Sequence, residues 1–109
     1  MNRTELTYKV KESVKSIDPN ARIILFGSRA RGDNNRSSDW DFLILTSCLV
    51  DESMKRQIRD RLIDTELEAE EVITTLIFSQ DKWSDYQITP LYKNILNDGV
   101  ELWAIINKI

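Results

Sequence analysis

The sequence has no histidine and a single cysteine, Cys48, among its 109 residues. Without an imidazole there is no Ser-His-Asp or Cys-His route to a nucleophile. One thiol supports neither an internal disulfide nor a recognisable zinc site, and Cys48 reads as a small apolar residue near a strand end. Carboxylates, arginines and hydroxyls are the groups left to act. Glycine (3) and proline (2) are scarce, which excludes collagenous and low-complexity chains. No apolar run approaches the ~20 residues that span a bilayer, and Met1 to Val10 lacks the apolar stretch of a signal peptide, so the expected location is the cytoplasm. The net charge of −3 speaks against holding nucleic acid by a broad basic face, which requires many phosphate neutralisations.

What is present is a globular composition, 41% hydrophobic and 30% charged, in a length that predicts a single domain over residues 1–109 with a modest core. Leu6, Val10, Val14 and Ile17 fall on one face of a helix over residues 4–17, ended by Asp18-Pro19-Asn20. Arg22 to Phe26 is a short β-branched run that reads as a buried strand stopping at Gly27. Ser28 to Arg31 forms a short helical turn, and Gly32 to Ser38 is a polar loop. From Asp39 to Thr46 a second strand places Asp39, Asp41, Leu43 and Leu45 on one face and Trp40, Phe42 and Ile44 on the other.

Asp51 caps a long helix with Met54, Ile58, Leu62 and Ile63 as its apolar stripe. Val72 to Phe78 is a third strand. Ser79 caps a short helix, and Thr89-Pro90 opens another whose apolar face uses Leu91, Ile95 and Leu96 before Asn97-Asp98-Gly99. Val100 to Ile109 is more apolar than a small domain's end usually is, which fits either packing on its own domain or contact with a partner or second copy. The expected fold class is α/β (α+β): a small mixed sheet of about three or more strands flanked by helices.

Residues 25–45 carry the chemistry. Asp39 and Asp41 on one strand face repel by about 3 kcal/mol at ~5 Å and an effective dielectric of ~20. A bound proton, nearby arginines or a divalent cation with hard oxygen ligands offsets such a pair. Two carboxylates plus substrate phosphates is the usual surrounding of Mg²⁺. Gly27 permits close approach of the backbone to a ligand, Ser28 offers its hydroxyl and N–H groups, and Arg29 and Arg31 are cationic candidates for a polyphosphate. Spacing does not decide which arginine points inward. Each motif alone is a common turn or a solvated surface. Their succession, glycine and serine ending one buried strand and Asp-x-Asp starting the next, is not.

Gly27-Ser28-Arg29-Ala30-Arg31-Gly32 followed by Ser38-Asp39-Trp40-Asp41-Phe42 resembles the signature of the DNA polymerase β-like nucleotidyltransferase superfamily, in particular its small stand-alone members of the minimal nucleotidyltransferase type. The resemblance implies a nucleotidyltransferase fold in which Gly27 and Ser28 hold a nucleoside triphosphate while Asp39 and Asp41 hold Mg²⁺ as the catalytic carboxylates. The implied reaction is attack of an acceptor hydroxyl or phosphate on the α-phosphorus with loss of pyrophosphate, ATP donating AMP to a protein or other hydroxyl acceptor. Many small members pair with a helical HEPN-type protein in toxin–antitoxin modules, and some transfer AMP to the partner's tyrosine.

Active members carry a third acid in the middle of the third strand. This chain has Ile73-Thr74-Thr75-Leu76 there, with Glu71 at the strand's beginning as the candidate third metal ligand and a solvated junction residue as its alternative. Two functions therefore stand: a Mg²⁺-dependent adenylyltransferase, or a nucleotide- or partner-binding module that lacks the third metal carboxylate. A homo-oligomer through the apolar C-terminal tail is the further expectation.

Overall fold

The computed structural model describes residues 1–103. The elements run α1 (Arg3–Lys15), β1 (Arg22–Phe26), α2 (Ser28–Arg31), β2 (Trp40–Thr46), α3 (Glu52–Ala69), β3 (Ile73–Ser79), α4 (Gln80–Trp83), a 3-10 turn (Ser84–Tyr86), α5 (Pro90–Asp98) and β4 (Val100–Glu101). The four strands form one mixed sheet in the order β3-β2-β1-β4. β1 pairs antiparallel with β2 and with β4, while β2 pairs parallel with β3. A parallel pair requires a crossover, and α3 supplies it.

Strand alternation sorts the core into two layers. Ile23 and Leu25 of β1, Trp40, Phe42 and Ile44 of β2 and Ile73 and Ile77 of β3 point toward α1 and α3, where Leu6, Val10, Val14, Ile58 and Leu62 meet them. Ile24, Leu43 and Leu45 point the other way, onto Trp83 and Ile95. Burying a large apolar side chain of this kind contributes about 1.5–3 kcal/mol, so the helix-covered face carries most of the stability. The second face has a thinner cover, in which Trp83 stacks on Tyr92 with centroids 5.0 Å apart.

The helix ends follow local chemistry. Asn2 caps α1 through Glu5 N, Asp51 caps α3 through Met54 N and Thr89 caps α5 through Tyr92 N, with Pro90 in its first turn. Two expectations are corrected. The first helix stops at Lys15 rather than at residue 17, because Pro19 follows closely. In α3 Ile63 is 47% exposed, and in α5 Leu96 is 72% and Leu91 37% exposed, since the narrow inward stripe of each helix is filled by Ile58 and Leu62 or by Ile95. Val100 and Glu101 form a fourth strand beside Ile24 and Leu25. The apolar tail expected to serve a partner or second copy lies, from residue 104 on, outside the described residues.

Candidate active site

The site is built by the β1–β2 hairpin. Gly27 ends β1 at φ +73° and ψ −160°, a backbone region essentially reserved for glycine. Its carbonyl accepts from Ala30 N and Arg31 N, both at 3.1 Å, which winds α2 directly onto the end of the strand. Gly32 then closes that turn in the left-handed conformation at φ +85°.

In the antiparallel register Phe26 stands opposite Asp41, so the next residue, Gly27, lies against the aspartate's side chain. A Cβ at Gly27 would overlap Asp41 Oδ2 and come within 3.3 Å of its Cγ. Glycine is required here twice, by its dihedral angles and by the carboxylate beside it.

Asp39 is exposed and Asp41 half-buried, both on the thinly covered side of the sheet. Burial raises the Asp41 carboxyl above the usual carboxylate value, the Asp39 charge raises it further, and Arg31 partly opposes both. Such a pair of hard oxygen donors, one of them disfavoured as a bare anion, suits a divalent cation.

The two arginines separate cleanly. Arg29 is turned into the protein: its Nε and Nη2 donate to Ser38 O at 3.2 and 3.0 Å. Its guanidinium lies 4.6 Å from the centroid of the buried Trp40 ring and 3.5 Å from Glu71 Oε2. Arg29 thereby ties the returning loop to the residue just before Asp39. Arg31 is largely exposed, pairs with Asp33 at 3.1 Å and lies 3.9 Å from Asp98, on the side where Asp41 feels its charge. Arg31 is the cation beside the carboxylates.

Glu71 therefore gathers with Arg29 and Trp40 and not with Asp39 and Asp41. Among the described residues no group of three or more His, Cys, Asp or Glu side chains is placed to share one metal ion. Thr74 stands beside Asp41 in the β2–β3 register, with its hydroxyl 3.5 Å from Asp39 Oδ2. Asp33 and Asp98, the partners of Arg31, were not picked out by sequence reasoning. Asp98 is remote in the chain and no local signal points to it.

Two solved structures resemble this fold. One is a toxin–antitoxin with AMP-PNP, at TM-score 0.65 and 20% identity over 89% of this chain and 72% of that one. The other is a mutant of the MntA-HpeT toxin–antitoxin, at TM-score 0.63 and 17% identity over 89% and 71% of the two chains. No curated protein gives a significant sequence match. The Gly27 turn, the Asp39–Asp41 pair and the helix-crossed sheet all fall within residues 7–102, which match the nucleotidyltransferase domain, and the chain belongs to that family.

Proposed function

We propose that this protein transfers AMP from Mg²⁺-bound ATP to a hydroxyl of a protein acceptor, as the antitoxin member of a pair with a helical HEPN-type toxin. Its membership of the nucleotidyltransferase family and its fold likeness to toxin–antitoxin structures, one of them with AMP-PNP, support the reading. The observation that carries it is the close approach of Gly27 to Asp41, which sets the start of the Gly-Ser turn directly beside the aspartate pair.

Asp39 and Asp41 would hold the Mg²⁺, which when bound neutralises triphosphate charge and polarises the α-phosphorus. Gly27, where a side chain would collide with Asp41, would bring its backbone to the phosphates, and the Ser28 hydroxyl would donate to their oxygens. Arg31 supplies a guanidinium at the rim for the departing pyrophosphate. In the transfer, the acceptor oxygen bonds to the α-phosphorus, the bond from that phosphorus to the α–β bridging oxygen breaks, and the acceptor's proton is released. Thr74, neutral and next to Asp39, cannot take that proton as a carboxylate would.

That threonine favours a second reading, a module that binds the nucleotide and a partner without turnover. Incubation with α-labelled ATP, Mg²⁺ and the co-purifying partner separates the two. Label on the partner that disappears with Asp39→Asn or Asp41→Asn supports transfer. Partner retention unaffected by both substitutions, with no label at any time, supports the binding module. Label transfer that persists in both variants would remove the assignment of the carboxylates.

A further inference from the structure

β3 is the outermost strand on one side of the sheet, and nothing in its sequence protects it. Ile73–Ser79 contains no charge, proline or glycine across seven residues, whereas soluble proteins ordinarily blunt a free edge with such residues or with a very short strand. The opposite edge follows that rule, since β4 has only two residues. Two open clefts border β3, one lined by Ile73, Thr74 and Thr75 and the other by Ile77, Phe78 and Ser79.

The outward backbone groups are identifiable. Trp40 N donates to Val72 O at 2.9 Å, so Val72 faces β2, while Ile73 N donates away from β2, to Glu66 Oε2 at 3.2 Å. Parallel pairing alternates along a strand, so Ile73, Thr75 and Ile77 present their N–H and C=O groups to the open side. Three alternate residues centred on Thr75 form a self-complementary set. In an antiparallel pair of identical strands Thr75 meets Thr75 and Ile73 meets Ile77.

The helix above the edge repeats that symmetry. α3 crosses over between parallel strands and so runs opposite to β3, with Glu66 at the level of Ile73. From Glu66 to Arg59 is about 10 Å of helix rise, and from Ile73 to Ile77 is about 13 Å of strand. Arg59 therefore lies near the far end of the edge and Ile63 near its centre, and both line the same cleft as Thr75. Arg59 is exposed and in no ion pair among the described residues, and Ile63 is 47% exposed. A two-fold axis at Thr75 brings Ile63 toward its own copy and Arg59 toward the second copy's Glu66.

We propose that a second copy of this chain docks on the β3 edge by antiparallel β3–β3 pairing, joining two four-stranded sheets into one continuous sheet. The occupant is a copy of this chain and not a foreign strand because register, apolar centre and charge all match under one two-fold axis, the geometry of an isologous interface. Glu66, released from Ile73 N, becomes the ion-pair partner of the second copy's Arg59. The pairing uses none of Gly27, Ser28, Asp39 or Asp41.

Sedimentation equilibrium of the whole chain from low to high micromolar concentration tests it. The expected result is a monomer–dimer equilibrium that weakens at least tenfold with Arg59→Glu or with Glu66→Arg and returns when both are combined. Thr75→Pro, which removes an outward N–H that β2 does not use, should also give monomers, with circular dichroism confirming that the fold is kept. A monomer at every concentration would overturn the proposal. So would a dimer insensitive to these substitutions but abolished by Trp103→Lys, which would move the contact to the C-terminal tail.

Discussion

Thr74 and Asp41 stand side by side in the parallel register of β3 and β2, and the Thr74 hydroxyl lies 3.5 Å from Asp39 Oδ2. A neutral residue occupies the position from which β3 could contribute a third carboxylate to the pair. Thr74→Asp should therefore tighten Mg²⁺ binding, read by calorimetry, and raise the rate of label transfer. In metal-free buffer at pH 7 the same variant should lose about 1–3 kcal/mol of stability through like-charge repulsion, a loss that Mg²⁺ reverses. Unchanged metal affinity would place Thr74 outside the metal's reach.

Gly27→Ala should cost about 1–3 kcal/mol from backbone strain alone, because φ +73° with ψ −160° is a glycine region. The added methyl also meets the Asp41 carboxylate, so nucleotide affinity should fall by more than the stability does. Denaturant unfolding and fluorescent-nucleotide titration measure the two effects separately.

Asp41→Asn is expected to stabilise the metal-free protein at neutral pH. Burial and Asp39 raise the Asp41 carboxyl above its usual 3.8, so the folded state disfavours the anion more than the unfolded chain does. The stability associated with this group is full below pH 3.8 and is lost as pH rises through the higher folded value. The variant's gain in melting temperature should accordingly appear near pH 7 and vanish in acid. Mg²⁺ should raise the melting temperature of the parent chain and leave the variant unmoved.

Asp18 provides the opposite sign. Burial pushes its carboxyl up, but the Ser47 backbone and hydroxyl bonds, followed by Asn20 N and the charge of Lys15, outweigh that and hold it below the usual value. Its oxygens accept from Ser47 N at 2.7 Å, Ser47 Oγ at 2.8 Å and Asn20 N at 3.1 Å. The stabilisation should be complete above pH 3.8 and fade as pH falls through the lower folded value. Asp18→Ala, which removes a charged acceptor from three part-buried hydrogen bonds, should cost about 1.5–3 kcal/mol, and chemical denaturation at pH 7 and pH 2.5 should show the deficit shrinking in acid.

Arg29→Lys should keep the charge near Glu71 and lose both the fork onto Ser38 O and the stack on Trp40. The expected outcome is a folded protein with weaker Mg²⁺–ATP binding, because Asp39 follows directly on the released Ser38. Titration calorimetry beside a thermal melt checks it. Full binding would mean that β2 alone positions Asp39.

Much of this architecture is visible in the residues themselves. The alternation from Trp40 to Leu45 places each side chain on the face where it is found, since the two-residue period leaves no choice once one face is buried. The Gly-Ser turn and the Asp-x-Asp pair are local, so their proximity needs only a hairpin. The roles of Arg29 and Arg31 were not legible, because two residues in a single helical turn diverge by an angle that spacing cannot orient. Glu71 lies close to β3 in sequence, yet Arg29 and Trp40 draw it to the other face. Leu91, Leu96 and Ile63 share a periodicity with buried neighbours but exceed the width of the stripe that the sheet can cover. β4 is too short to leave a pattern.

The hairpin has a consequence for how the molecule comes apart. Gly27, Ser28, Arg31, Asp39 and Asp41 all belong to two adjacent antiparallel strands and their connection, whereas Thr74 reaches them only through the α3 crossover. Opening of the β3 edge would detach Thr74 and leave the Gly27 turn and the Asp39–Asp41 pair assembled on the hairpin. Amide hydrogen exchange should divide along that line, with β1 and β2 exchanging only on global unfolding and β3 exchanging earlier. A chain that samples this half-open form would keep the Gly27–Asp41 contact while Thr74 comes and goes.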